Sequence, residues 1–425
     1  MSQSLSHALL KILEPGPQVQ ARIDAGIRQN RMCDVTLRVV DPVGRPVPGV
    51  RLELRQLSHD FRFGCNCFML DEGTPQQQAQ YAQLFAQLFN LTVVPLYWSD
   101  LEPQEHQLRF APDSPRIYRR PPLDKVLDWC AQHNIEPKGH PLVWYRFWPE
   151  WARGSEQHIR ELLDRRIGQI ARHVGQRITQ WDVVNEAFDL PHDSPLPRDF
   201  VFRAFEEAAR HLPPTAKLFY NEAIHNSFEH YRREYSMLYL LLKDLLARGA
   251  RLDGIGIQFH FWSPPEKAAA RGRTLLDPAY HLRVLDLYGE FARPIHISEI
   301  SIPTWSDESL QAALVRGLYR TWFSHPSVQA IIWWNLPDGG AETGNENNLG
   351  IGLLTPDYTP KAAYRALDEL INHEWRTNAA LTTDPTGQAP CRLFPGEYEL
   401  TLTTAGRCTT HKAHLRGDQP VEVVA

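Results

Sequence analysis

The stretch WDVVNEAF, residues 181–188, decides how this chain folds. A run of strand formers ends in an amide and a carboxylate side by side, Asn185 and Glu186, with small and aromatic residues after them. A buried strand usually stops at a turn of Gly, Ser or Asp. An acidic residue at its tip is therefore there to face something. The same texture recurs on both sides of this stretch: FRFGCN (61–66), LTVVPLYW (91–98), EPKGHPLVW (136–144), ITQWDVVNE (178–186), AKLFYNE (216–222), LDGIGIQFH (252–260), RPIHISEI (293–300) and VQAIIWWNL (328–336). Most are followed by a polar loop and an amphipathic segment such as PPLDKVLDWCAQHN (121–134). Eight strand–helix units within about 300 residues suit a closed parallel (β/α)8 TIM barrel better than an open doubly wound sheet, and no G-x-G-x-x-G follows the first strand.

On such a barrel the active site lies at the C-terminal strand ends. Polar and aromatic residues collect there: His140, Asn185 with Glu186, Asn221 with Glu222, Gln258 with His260, Glu299, and Trp333 with Trp334. One lone strand-end histidine would more often be structural, but six strands converging define a cavity. Two carboxylates across a cavity suit glycoside hydrolysis, in which one is protonated to donate to the leaving oxygen and the other is ionised. Glu186, on an apolar strand beside Ala187 and Phe188, reads as the acid because desolvation raises its pKa. Glu299 reads as the nucleophile, with His260 donating a hydrogen bond to it. Asn185 is placed to hold the 2-hydroxyl of the sugar being cleaved.

The flanks of the barrel differ in texture. The segment DVTLRVVDPVGRPVPGVRLELRQLSHDF (34–61) alternates apolar and polar residues about a Pro/Gly turn and reads as a β-hairpin with one wet face. The tail GEYELTLTTAGRCTTHKAHLRGDQPVEVVA (396–425) alternates likewise, so head and tail are expected to meet as one small β module. The reading divides the chain into a helical segment (1–30, one helix ending near Asn30), the first part of the module (31–60), the catalytic barrel (61–373) and the second part of the module (374–425). The module is poor in aromatic residues and reads as scaffolding rather than as a sugar-binding domain.

Composition narrows the ligand. A formal net charge of −5, from 45 basic and 50 acidic residues, gives no bias toward nucleic acid or anionic membranes. A neutral ligand fits better, and the 12 tryptophans offer faces suited to sugar rings. Cys65 and Cys67 form a C-x-C pair with nothing nearby to complete a metal site, and neither a strand-end H-x-H nor an H-E-x-x-H occurs. No metal and no cofactor is expected. The N-terminus has no basic start followed by a sustained apolar core, so the sequence as it stands reads as cytoplasmic, or as secreted or periplasmic if a signal peptide was removed.

Together these motifs resemble glycoside hydrolase family 10, whose best-known members are endo-β-1,4-xylanases. The resemblance spans residues 61–370. WDVVNEA resembles the acid/base motif and HISEI (296–300) the nucleophile strand, which implies a retaining enzyme with Glu186 as acid/base and Glu299 as nucleophile, carboxyls about 5–5.5 Å apart. GHPLVW (139–144) is similar to the motif that brings His140 and Trp144 to the cleavage-site sugar, and IGIQFH (255–260) carries Gln258 and His260. NLP (335–337) after Trp334 and LLTPDYTPKAAY (353–364) look like the eighth strand and closing segment.

The flanking positions depart from the family. Val93 and Val94 stand where a Glu-Asn pair usually binds the next sugar on the non-reducing side, and Tyr97 stands where a Lys is usual. Trp98 and the pair Glu102-Pro103 match. Tyr145 and Phe147 replace a usual His and Gln, and PDGGAETGNENN (337–348) lacks a second capping Trp. The expected binding set is His140, Trp144, Asn185, Asn221, Gln258, His260, Trp334, Tyr97 and Trp98, with Tyr97 offering a ring face for stacking. The expected function is double-displacement hydrolysis of β-1,4-linked xylan-type poly- or oligosaccharides. Because polar recognition of the second sugar is largely lost, unbranched xylan is a poor expected substrate, and the alternatives are a carbohydrate-binding barrel with little or no turnover or a β-glycosidase acting on a non-xylan glycoside.

Overall fold

A computed structural model describes residues 2–341, 344–404, 406–417 and 420–424. Eight parallel strands close a barrel, and the strands that precede and follow it in the chain form two further sheets. Strands β1 (Cys33–Val40) and β2 (Arg51–Gln56) precede it. The barrel strands are β3 (Arg62–Asn66), β4 (Leu91–Pro95), β5 (Glu136–His140), β6 (Gln180–Asn185), β7 (Lys217–Glu222), β8 (Gly254–His260), β9 (Ile295–Ser301) and β10 (Val328–Trp333), which pairs back onto β3. Strands β11 (Asn378–Thr382), β12 (Gln388–Leu393), β13 (Gly396–Thr404), β14 (Arg407–Leu415) and β15 (Val421–Val424) follow. All eight barrel strands expected from the sequence are present.

Local chemistry explains the helices that join them. Pro75–Leu88 starts with a Thr74/Gln77 capping box, and Glu156–Val174 with Ser155 accepting from the His158 amide. Leu123–His133 buries Leu123, Val126, Leu127 and Cys130 on one face and ends at Asn134, whose φ of 54° is the left-handed conformation that closes a helix. Inside the lower barrel a buried ion pair, Lys138 Nζ to Asp182 Oδ1 at 2.8 Å, sits beside the rings of Phe219 and His296.

Two sequence expectations are corrected at the head of the chain. Residues 34–61 do not form a hairpin: β1 lies in a three-stranded sheet, β12-β1-β15, while β2 lies in a four-stranded one, β11-β2-β13-β14. Each strand has one apolar face, and the sheets bury those faces against each other through Val35, Leu37, Val39, Leu52, Leu54, Leu400 and Leu402. Alternation shows one buried face but not which strand supplies the neighbour. The N-terminal segment is two helices, Ser2–Leu13 and Pro17–Arg31, broken at Pro15-Gly16 with Pro17 opening the second. Arg31 anchors that second helix by donating to the carbonyls of Phe323, His325 and Val328. The two-sheet module docks at the N-terminal end of the barrel, where Trp375 stacks on Phe323 with centroids 4.0 Å apart and lies near Phe63.

Candidate active site

Both expected catalytic carboxylates owe their direction to broken strand geometry. On β9 the pairing with β8 skips a residue, Gln258 opposing Ser298 and Phe259 opposing Ile300, so Glu299 is the extra residue of a bulge with φ 61°. A bulge lets consecutive side chains turn the same way. Ser298 Oγ and Glu299 Oε1 accordingly both meet the amide of Asn221, at 2.5 and 2.6 Å. Glu186 follows the last residue of β6 in the left-handed region, φ 52° and ψ 53°, and its amide donates to the Asn221 carbonyl at 3.0 Å. Non-glycine residues held there cost on the order of 1–3 kcal/mol and cluster at functional sites.

The two carboxyls share one donor. Gln258 Nε2 lies 2.8 Å from Glu186 Oε1 and 3.1 Å from Glu299 Oε1. Those oxygens are therefore at most about 6 Å apart, short of the roughly 6.5–9.5 Å spacing that leaves room for an interposed water. Trp144 Nε1 donates to Glu186 Oε2 at 3.1 Å, and His260 Nε2 lies 3.2 Å from Glu299 Oε2 while its Nδ1 meets Ser301 Oγ at 2.9 Å. Burial and then the charge of Glu299 raise the pKa of Glu186, and Gln258 and Arg146 offset only part of that. Beside it, burial raises Glu222 to about 7 despite donors from Tyr220, Ala223 and Asn226. Tyr220 Oη also accepts from the Ala187 amide, 3.3 Å away, which ties Glu222 to the turn that carries Glu186.

A cavity of about 410 Å³ opens above these groups, lined by Glu186, Glu299, Gln258, His260, Trp144, Trp334 and Tyr97 among others. His140 and Asn185 stand just behind the lining, 1% and 2% exposed. His140 Nδ1 is held by Asp182 Oδ2 at 3.0 Å. Among the described residues His140 Nε2 and Asn185 Nδ2 have no hydrogen-bond partner, and Nε2 lies 3.8 Å from Glu299 Oε1. Burial would raise Asp182, but Lys138 and His140 hold it below the usual carboxylate range, so an ionised carboxylate orients the His140 ring.

Three expected binding residues are placed differently. Trp98 does not line the cavity: its ring packs edge-on against Trp148 and Trp151, and its Nε1 donates to Glu102 at 2.9 Å. Asn221 is fully buried, its Nδ2 hydrogens going to Asn185 and Glu299 and its oxygen to Ser298, so it orients both carboxylate strands and keeps no group for a sugar. Tyr97 lines the cavity, but Phe147 stacks on it at 4.6 Å and the Arg120 guanidinium lies 4.1 Å from its ring centroid. It fills space rather than offering an open stacking face.

The sequence reading missed Arg146, Asp189, His225 and Trp262, all lining the cavity. Trp262 stacks on His260 at 4.2 Å and is 40% exposed. Continuing the period of two from Gln258 through His260 would have found it. Asp189 and His225 pair at 2.7 Å, which raises His225; burial works against Asp189's ionisation, but His225 and Asn226 hold it down. Away from the cavity, Asp164, Glu207 and His211 cluster closely, but Arg210 is already ion-paired with both carboxylates. Among the described residues no helix is long and apolar enough to cross a membrane.

Known proteins resemble this chain in sequence and fold. The family profile described as Glycosyl hydrolase family 10 matches residues 56–370. Anti-sigma-I factor RsgI6 of Acetivibrio thermocellus is 27% identical over 384 residues, 90% of this chain and 46% of that protein, a span too long to stop at the barrel. Endo-1,4-beta-xylanase B of Thermotoga neapolitana is 25% identical over 297 residues, 65% of this chain and 78% of that protein. The chain spans about half the length, or less, of several curated relatives that it matches. Among solved structures, xylanase 10B from Thermotoga petrophila RKU-1 in complex with xylobiose superposes with a TM-score of 0.60 at 21% identity, covering 74% of this chain and 95% of that one. The family profile covers well over half of the sequence, and this chain belongs to glycosyl hydrolase family 10.

Proposed function

We propose that the chain is a retaining glycoside hydrolase acting on β-1,4-linked, xylan-type poly- or oligosaccharides by double displacement. The observation that carries this reading is the single amide of Gln258 bridging two carboxylates, which keeps them close enough for direct attack. Protonated Glu186 donates to the glycosidic oxygen as the bond to the anomeric carbon breaks, and ionised Glu299 attacks that carbon to form a glycosyl-enzyme. Glu186, now a base, takes a proton from water, whose oxygen displaces Glu299 and regenerates both groups. Asn185 Nδ2 and His140 Nε2, without a hydrogen bond among the described residues, suit sugar hydroxyls, and Trp144, Trp262 and Trp334 supply apolar walls. The xylan-type preference draws on relatives named endo-1,4-beta-xylanases.

Two substitutions test the roles. Glu299→Ala should abolish turnover of every substrate. Glu186→Ala should slow xylo-oligosaccharides by orders of magnitude more than an aryl glycoside with an activated leaving group, because only the former needs a proton. Equal losses on both would remove Glu186 from the acid role. A second reading, a carbohydrate-binding barrel with weak turnover, is favoured by the plug that Tyr97, Phe147 and Arg120 make beside Val93, and by a relative matched across barrel and module that bears a regulator's name. Xylo-oligosaccharide binding without detectable products would select it.

A further inference from the structure

Three arginines line the catalytic cavity, and two are committed elsewhere. Arg271 is held by Glu229, and Arg119 donates to Asn335 Oδ1 at 3.1 Å. Arg146 differs. Its Nε donates to Tyr145 Oη at 3.0 Å, and its guanidinium lies 5.6 Å from the Trp144 ring centroid and 5.5 Å from that of Tyr145. These contacts orient the planar group while its two terminal nitrogens form no hydrogen bond or ion pair with the described residues. The carboxylates acting on it through space are Glu186 and Asp189, and both are engaged by other donors: Glu186 by Trp144 and Gln258, Asp189 by His225 and Asn226. Glu186 delivers its proton to the leaving oxygen, so a side chain next to it faces the leaving half of the substrate.

We propose that Arg146 is a specificity-determining residue that receives a carboxylate carried by the leaving portion of the glycan, as on a uronic acid substituent. An oriented arginine fork matches a carboxylate with two parallel hydrogen bonds, a geometry that neutral hydroxyls do not reproduce. The local field permits it: His225 is favoured in its charged form beside Asp189, and Glu186 holds its proton more tightly than an ordinary glutamate. This inference rests on the hydrolase reading above.

The test compares a glucuronic-acid-substituted xylo-oligosaccharide with its unsubstituted parent, using the full chain and its Arg146→Gln variant. The ratio of kcat/KM, acidic over neutral, should fall at least fivefold in the variant, and raising the salt concentration should lower the same ratio in the parent protein. A change of less than fivefold overturns the proposal, since a merely structural role would move both substrates together. Calorimetric binding of the two oligosaccharides to Glu299→Gln, with and without Arg146→Gln, reads the same preference without turnover. If neither sugar is hydrolysed by the parent protein, the hydrolase reading fails, and the binding ratio still decides the role of Arg146 by the same fivefold criterion.

Discussion

Glu299 shows what a single residue can owe to backbone irregularity. Regular alternation along β9 would send Ser298 and Glu299 to opposite faces, and the bulge brings both to Asn221. Glu186 reaches the same cavity by a left-handed turn past the end of β6. Burial and the neighbouring Glu299 then raise its pKa, which suits an acid. A raised pKa keeps the reactive proton at higher pH and loses it as pH climbs through the shifted value. The alkaline limb of kcat/KM for xylo-oligosaccharides should therefore report Glu186, and it should be missing from Glu186→Gln assayed on an activated aryl glycoside. A limb that persists unchanged in that variant points to another group.

At the scale of elements, the strand tips were legible because an amide or carboxylate closing an apolar run has few structural explanations. Bulges were not legible, because period-two alternation carries no mark for an inserted residue. The flank on β4 was half legible. Val93 lies in the apolar cluster with Phe68, Tyr97 and Trp334, whereas Val94 packs in the outer core on the other face of the strand, so only the first can bear on the substrate side. Trp333 and Trp334 part in the same way, the first into the core and the second to the cavity. Beneath the site, β5 and β6 are tied by Lys138 and Asp182, both essentially inaccessible. Asp182→Asn should leave a buried ammonium without its carboxylate and cost about 3–5 kcal/mol in urea unfolding. It should also release His140 Nδ1 from its anchor. A cost below about 1 kcal/mol would mean that Lys138 finds another counter-charge.

For the whole molecule, the chain's two ends make one sandwich at the end of the barrel opposite the cavity. The alternating pattern of both ends was readable, but their pairing required residues more than 300 positions apart to meet, as when Leu54 faces Leu400. No local rule encodes that partner choice. The module's placement through Phe63, Phe323 and Trp375 supports a scaffolding role for it. A chain ending at Glu374 leaves β1 and β2 without the strands they pair with and uncovers Leu37, Leu52 and Leu54. Such a chain should be largely insoluble or cleaved rapidly within residues 33–56 by a protease that spares the full chain. Unchanged solubility and protease resistance would show that the module contributes nothing to the barrel's stability.

The central claim is that Glu186 and Glu299 act at a spacing that forces attack by the protein itself. Proton NMR of the first sugar released from an aryl β-xylobioside, read before mutarotation, tests it most directly. Two successive displacements return the β-anomer, which is the predicted product. The α-anomer, formed by one displacement with water, would contradict the account.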